Sequence, residues 1–268
     1  MTMQKAPFSK PFVAASLLLF SLAGSCADSP GEEPDAETTT VAIGGGVEHQ
    51  PGWLGAATHK THAIPYLDIN WHDQVELSTT GGFSADLLHR KQWHGGLVGT
   101  LIWGRSARDL VGLANRVNTL NNTIQAGAYL EYAFTKTLNV GTRWRHDIQD
   151  TGAAYADVYG ELDLPAPGPL EHSIKLDAEV MNRSAMRRFF GVSPEVGANL
   201  GTSAYQPNAG LARISATYQL FVPTSQHTAL VFAIDWSRLQ GSASRSPLVR
   251  DFGSRNQRDF MLAAIYHF

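Results

Sequence analysis

The 268-residue chain has one cysteine, Cys26, close to its N-terminus. No internal disulfide framework can form, which excludes the small stapled folds of many secreted domains. Beyond the first residues there is no apolar run long enough for a spanning helix. Neither sign of charge dominates. The net charge is −3 and only 17% of residues are charged, so the chain lacks the basic balance of a nucleic-acid binder. It contains no phosphate loop, no dinucleotide fingerprint and no GxSxG element, and nothing marks out a nucleophile. No catalytic residue, cofactor or metal site is assigned. His59 and His62 stand three apart with His49 and His72 in flanking segments, but no Cys or carboxylate cluster completes a zinc set.

What is present begins with a targeting segment. Lys5 and Lys10 precede an apolar stretch over residues 12–22, and SLAGSCADS follows with Ser25 and Ala27 at the −3 and −1 positions. Residues 1–27 therefore read as a cleaved signal peptide. The same boundary is a loose lipobox ending on Cys26, so lipidation there is the alternative. Loss of Lys5 and Lys10 takes the mature chain near −5. Residues 28–40, DSPGEEPDAETTT, are expected to form a disordered acidic tail in the periplasm.

From Val41 to Phe268 the chain alternates. In IPYLDINWH, Leu67, Ile69 and Trp71 share one face, and Tyr66, Asp68 and Asn70 the other. Trp93 and Trp103 lie near the ends of one segment, as in an aromatic belt. Candidate strands are about ten residues long, enough for a tilted span. The connections FTKTL, PAPGP and VPTSQ are short, whereas 106–122, 182–207 and 239–255 are long. Leu110, Leu113, Ala114 and Val117 recur at helical spacing and predict a short helix in the first of these. The other two read as loops. The last segment, 259–268, carries a period-two row from Phe260 through Tyr266 to the terminal Phe268. This pattern predicts an all-β fold, an antiparallel transmembrane β-barrel over 41–268 in the Gram-negative outer membrane. Splitting 75–88 at Gly81-Gly82 gives an even count of twelve strands, with ten as the alternative.

The segment RFFGVSPEVGANLGTSAYQPNAGL over 188–211, together with IPYLDINW, the WGR of 103–105 and WSRLQGSASRSPLV over 236–249, resembles the MltA-interacting protein (MipA)/OmpV family. The resemblance implies an outer-membrane barrel that acts as a scaffold linking a murein hydrolase and a murein synthase. In other members it implies a porin-like protein or an adhesin. It also implies that Phe260, Tyr266 and Phe268 belong to the signal read by the barrel-assembly machinery.

Two sets of residues are candidates for function. The polar rows place Arg143, Arg145, Asp147, Asp157, Glu161, Asp163, Lys175, Asp177 and Arg213 on the lumen side, with Asp68, Asp86, Glu131, Glu171, Glu179 and Asp235. They line either a cation-favouring pore or a lumen filled by ion pairs. Arg105, Arg108, Arg187, Arg188, Arg245 and Arg250 lie in the long loops. Arginine forks match phosphate geometry, so these residues either contact lipopolysaccharide or another anionic surface or form a solvated loop face. The reading is a non-enzymatic barrel whose partners are outer-membrane lipid, lipopolysaccharide, the assembly machinery and periplasmic murein enzymes, with no nucleic acid.

Overall fold

The computed structural model describes residues 39–88, 90–149 and 151–268. The signal peptide, Cys26 and nearly all of the acidic tail lie outside the described residues. The strands are β1 (Thr39–Pro51), β2 (His59–Trp71), β3 (Val75–Ser78), β4 (Gly82–Asp86), β5 (Trp93–Ile102), β6 (Thr123–Ala133), β7 (Leu138–Asp147), β8 (Ala154–Leu164), β9 (Glu171–Met181), β10 (Gly210–Pro223), β11 (Thr228–Leu239) and β12 (Asn256–His267). They pair in chain order and close β1 against β12, all antiparallel. The count is twelve, and the split at Gly81-Gly82 is where the β3–β4 hairpin turns. Thr39 and Thr40, assigned to the tail from composition, are instead strand, because they ladder with Trp71 and Asn70.

Alternation is what closes the barrel into a membrane. Ile43, Val47, Leu97, Leu101, Val158, Leu176, Leu230 and Leu262 are exposed on the outer wall. So continuous an apolar surface suits hydrocarbon and not water. At one rim the rings of Trp93 and Tyr132 lie 4.8 Å apart, as do those of Tyr132 and Phe134. Tyr266 and Phe268 join the same rim, 5.1 Å apart. This is the rim of the short turns, hence the periplasmic one. On β12, Phe260, Leu262 and Tyr266 face outward while Met261, Ala263 and Ile265 face in. The β1–β12 ladder runs from Ala42–His267 to His49–Phe260, and the Phe268 amide still donates to Val41 O at 3.0 Å.

The long loops are more ordered than their composition implied. Residues 182–207 carry helices α1 (Arg183–Phe190) and α2 (Pro194–Leu200), and 239–255 carry α3 (Gly241–Arg245) and α4 (Pro247–Arg250). Helices this short show no periodicity, but their caps are in the sequence. Asn182 accepts from the Ala185 amide, and Ser193 and Ser246 each precede a proline at the first turn. The helix expected within 106–122 is absent. Gly112 at φ +75° and Asn115 at φ +64° turn the chain left-handed and break it into successive turns. Leu110, Leu113 and Val117 are buried there all the same, and Ala114 is exposed.

The lumen is filled at three levels. Over the extracellular mouth, Met186, Phe189 and Phe190 of α1 pack with Ile102, Tyr155 and Leu239. Near the periplasmic rim, Tyr66, Phe221, Val231, Met261 and Ile265 form a second apolar cluster. Charged side chains occupy the space between. The wall has one low point. β3 and β4 have four and five residues, between β2 with 13 and β5 with 10. β2 meets β3 only from Asp68 to Trp71, and β5 meets β4 only from Gly96 to Gly99. The hairpin tip is tied to β2 by Thr79, whose amide donates to Leu67 O at 2.9 Å. Above it, residues 59–66 of β2 and 100–102 of β5 have no strand between them.

Gly141 faces Tyr159 across the β7–β8 ladder, and a Cβ at Gly141 would strike the tyrosine ring. Gly141→Val is expected to cost about 1–3 kcal/mol through this overpacking, read as a lower temperature for loss of the compact electrophoretic form. Gly45→Ala, whose added Cβ has space, is expected to leave that temperature unchanged.

Candidate functional site

The interlocked lumen charges come from β6 to β10. Side chains two residues apart on one strand share a face, so Arg143, Arg145 and Asp147 all enter from β7. β8 adds Asp157, β9 adds Lys175, Asp177 and Glu179, and β10 adds Arg213, and all of these are buried. Arg143 Nε donates to Asp157 Oδ2 at 3.1 Å, and Arg145 Nη2 donates to the same oxygen at 2.8 Å. Arg145 Nη2 also reaches Glu179 Oε2 at 3.0 Å, and Nη1 reaches Gln125 Oε1 at 3.0 Å. Gln125 passes the chain on to Asp147 Oδ1 at 3.0 Å. Asp147 Oδ2 in turn accepts from Thr151 at 2.7 Å and from Arg188 at 3.3 Å. The network thus runs from mid-lumen to α1.

Aromatic rings complete it. The Lys175 ammonium lies 4.6 Å from the Tyr159 ring centre, and the Arg145 guanidinium 5.6 Å from that of Tyr155. Tyr159 OH donates to Glu131 Oε2 at 3.1 Å. Glu161 and Asp163, also predicted for the lumen, sit lower and are only half-buried. Glu161 faces Lys175 across the β8–β9 ladder. Gln125 and Tyr159 were not among the candidates. A neutral amide and a tyrosine carry no signal of a bridging role until the register sets them beside charges.

The opposite wall differs. Glu48, Asp68, Glu76, Asp235 and Asp259 are buried on β1, β2, β3, β11 and β12, while among the described residues the buried Arg and Lys of the strands stand on β7, β9 and β10. Glu48 is met by Gln50 Nε2 and His62 Nε2, each at 3.1 Å. His59 and His62 do not converge, since an odd spacing puts them on opposite faces of β2. Among the described residues no group of three or more metal-ligating side chains gathers.

The loop arginines divide. Arg105, Arg187 and Arg188 line a cavity of about 430 Å³ between α1, α2 and residues 105–120. Arg105 corrects the expectation of a surface contact. It is buried, it donates to Asn118 O and Phe189 O, and its guanidinium lies 5.5 Å from the Trp53 ring centre. Burial lowers its pKa to about 10, which leaves it charged at neutral pH. Arg188 donates to Asn121 O at 2.6 Å as well as to Asp147, so it too ties loop to lumen. Arg108, Arg187, Arg245 and Arg250 are exposed, with Arg250 paired to Asp251 at 2.7 Å. Lys60 and Asp109 join at 2.9 Å and fasten residues 103–122 to the top of β2. Burial of Asp109 raises its carboxyl, but hydrogen bonds from Lys60 and Ser106 outweigh it and hold the pKa below the usual value.

A family model described as MltA-interacting protein MipA matches residues 43–268. The chain belongs to this MipA family. The match takes in β2 to β12 and β1 from Ile43 onward, and places the protein in the Gram-negative outer membrane. A comparison with curated proteins found no match. Among solved structures, the barrel is similar to the NanC porin, with a TM-score of 0.40 at 10% identity over 85% of this chain and 99% of that one. It is similar to an outer membrane channel from Pseudomonas putida F1, with a TM-score of 0.43 at 8% identity over 90% and 100%. At these scores neither likeness speaks to function.

Within this MipA barrel, Arg145 is the member whose loss leaves most behind. Arg145→Met leaves Asp157 with Arg143 alone and takes the Nη2 donor from buried Glu179, with an expected cost of about 3–5 kcal/mol. The measurement is the midpoint of urea unfolding in lipid vesicles. A change below about 1 kcal/mol would show that the network contributes nothing to stability.

Proposed function

We propose that this protein is a non-enzymatic, non-conducting outer-membrane anchor that docks a periplasmic murein hydrolase, in the sense the family's name describes, and through it a murein synthase. The observation that carries this reading is the filled lumen. An apolar lid of α1 residues, a charged middle and an apolar base occupy the axis, which favours an anchor over a pore. The connections at the periplasmic rim are short, such as residues 134–137 and 224–227, and offer little of the area a stable interface needs. β1 begins at that same rim, and the acidic segment that precedes it in the sequence is the proposed docking arm. A second reading, adhesion to lipopolysaccharide or another anionic surface, draws on the exposed Arg108, Arg187, Arg245 and Arg250.

Refolded protein in planar bilayers is expected to give no discrete conductance steps. A murein hydrolase is expected to co-purify with the full chain and to be lost on deleting residues 28–38. Steady conductance that shifts on neutralising Asp157 or Glu161 would replace the anchor with a small-solute channel.

The C-terminal row supports a role in assembly as well. Phe268 lies outward beside Tyr266 at the rim, in line with Phe260. Deleting Phe268 is expected to lower the amount of compact barrel recovered from outer membranes several-fold, with the protein accumulating in the periplasm. Normal recovery would remove the C-terminal row from the assembly signal.

A further inference from the structure

The low point in the wall has a cavity behind it. The cavity measures about 100 Å³ and reaches from Lys60, Leu101 and Trp103 at the wall to Arg213, Asp235 and Asp259 in the lumen. The gap itself is framed by β2 and β5 at the sides and the β3–β4 hairpin below. Residues 103–122 close the top through the Lys60–Asp109 pair at 2.9 Å. With the lumen filled over α1 and at its base, this gap is the way in. It opens at the height of Trp103, the extracellular interface.

Two features inside the cavity are unfavourable as they stand. The Arg213 side chain is 5% exposed, and its Nε lies 4.0 Å from Glu179 Oε1. Neither Nε nor Nη2 has a hydrogen-bond partner among the described residues. A buried guanidinium fork without acceptors is costly. Asp235 and Asp259 are the second feature. They face each other directly across the β11–β12 ladder, both buried. Directly opposed like charges destabilise a sheet, with Cβ atoms about 4.5–5.5 Å apart. Thr217 donates to Asp235 at 2.8 Å, yet among the described residues no salt bridge reaches either carboxylate. Ser237 and Gln257 line the same cavity and face each other one lumen position above the pair. Gln257 is spent on residues 54–56 of the first loop, accepting from Gly55 N at 3.0 Å and donating to Ala56 O at 3.0 Å.

One kind of ligand satisfies both features. We infer that the cavity binds a small zwitterion whose oxyanion takes the Arg213 fork and whose ammonium sits between Asp235 and Asp259. A carboxylate or phosphate matches the fork geometry, and a primary ammonium supplies donors to two carboxylates. By the measure that assigns roughly 10–15 Å³ to one water, the volume suits a molecule of about six to eight heavy atoms. A free amino acid and a phosphoethanolamine group share this chemistry, and the second also occurs as a lipid headgroup. The site stands apart from the proposed docking arm and does not depend on it.

The test is isothermal titration of the full refolded barrel in nanodiscs with L-alanine and with phosphoethanolamine, against acetate and ethylamine. Both zwitterions are expected to bind at least tenfold tighter than either singly charged control. Arg213→Gln is expected to weaken zwitterion binding at least tenfold, as is the double change Asp235→Asn with Asp259→Asn. Retention of the compact electrophoretic form checks that each variant is folded. If Arg213→Gln does not fold, Arg213→Lys keeps the charge, loses the fork and is expected to weaken binding as well. Nanodiscs of phosphatidylethanolamine that abolish alanine binding assign the site to a headgroup, and unchanged binding assigns it to a free solute. Equal affinity for zwitterion and single-charge controls overturns the inference, as does wild-type affinity in a folded Arg213 variant.

Discussion

Every backbone N–H and C=O in the hydrocarbon layer must find a partner within the protein, and the β1–β12 ladder is where this chain meets that demand. Eleven ladders between consecutive strands would leave two open edges in lipid. Pairing from Ala42–His267 to His49–Phe260 removes them. Closure then fixes which side chains look inward. It places the Phe260 and Tyr266 rings against lipid, while the β11–β12 ladder beside it sets Asp259 against Asp235 within the lumen.

The interior divides its charges unevenly. On β7 to β10 bases and acids interlock, with Arg145 holding Asp157 and Glu179 at once. A group of buried acids stands on the other wall. Complete mutual pairing would make the lumen a structural filler and nothing more. The pairing is instead uneven, with Arg213 Nε and Nη2 short of acceptors on β10, and the wall is low between β2 and β5. Uncompensated polar groups and a lateral gap occur in the same part of the barrel, and buried groups of this kind call for a functional reason.

Much of the fold was legible because a membrane strand writes its two faces into adjacent residues. The Trp144 and Val158 positions, between Arg143 and Arg145 and between Asp157 and Tyr159, give the face of each strand without any tertiary information. The Gly81-Gly82 turn gave the even count. What misled was local. Residues 106–122 have helical spacing, but Gly112 and Asn115 take positive φ. The short helices α1 to α4 passed as loops, although Asn182, Ser193 and Ser246 cap three of them. Arg105 looked like a surface arginine, because loop sequence does not state which of its residues folds back under the lid.

The sequence by itself determined the barrel, its strand faces and the presence of a charged lumen, since alternation with period two leaves one solution in a bilayer. The tertiary structure decided how those charges are used. Register put Arg145 between two carboxylates, Tyr159 over Gly141, and Asp235 against Asp259. Loop folding put Phe190 over the mouth, and the strand register left Arg213 Nε and Nη2 without acceptors beside a cavity. Such contacts join residues dozens of positions apart. Their energies depend on distance and burial, which strand alternation alone does not encode.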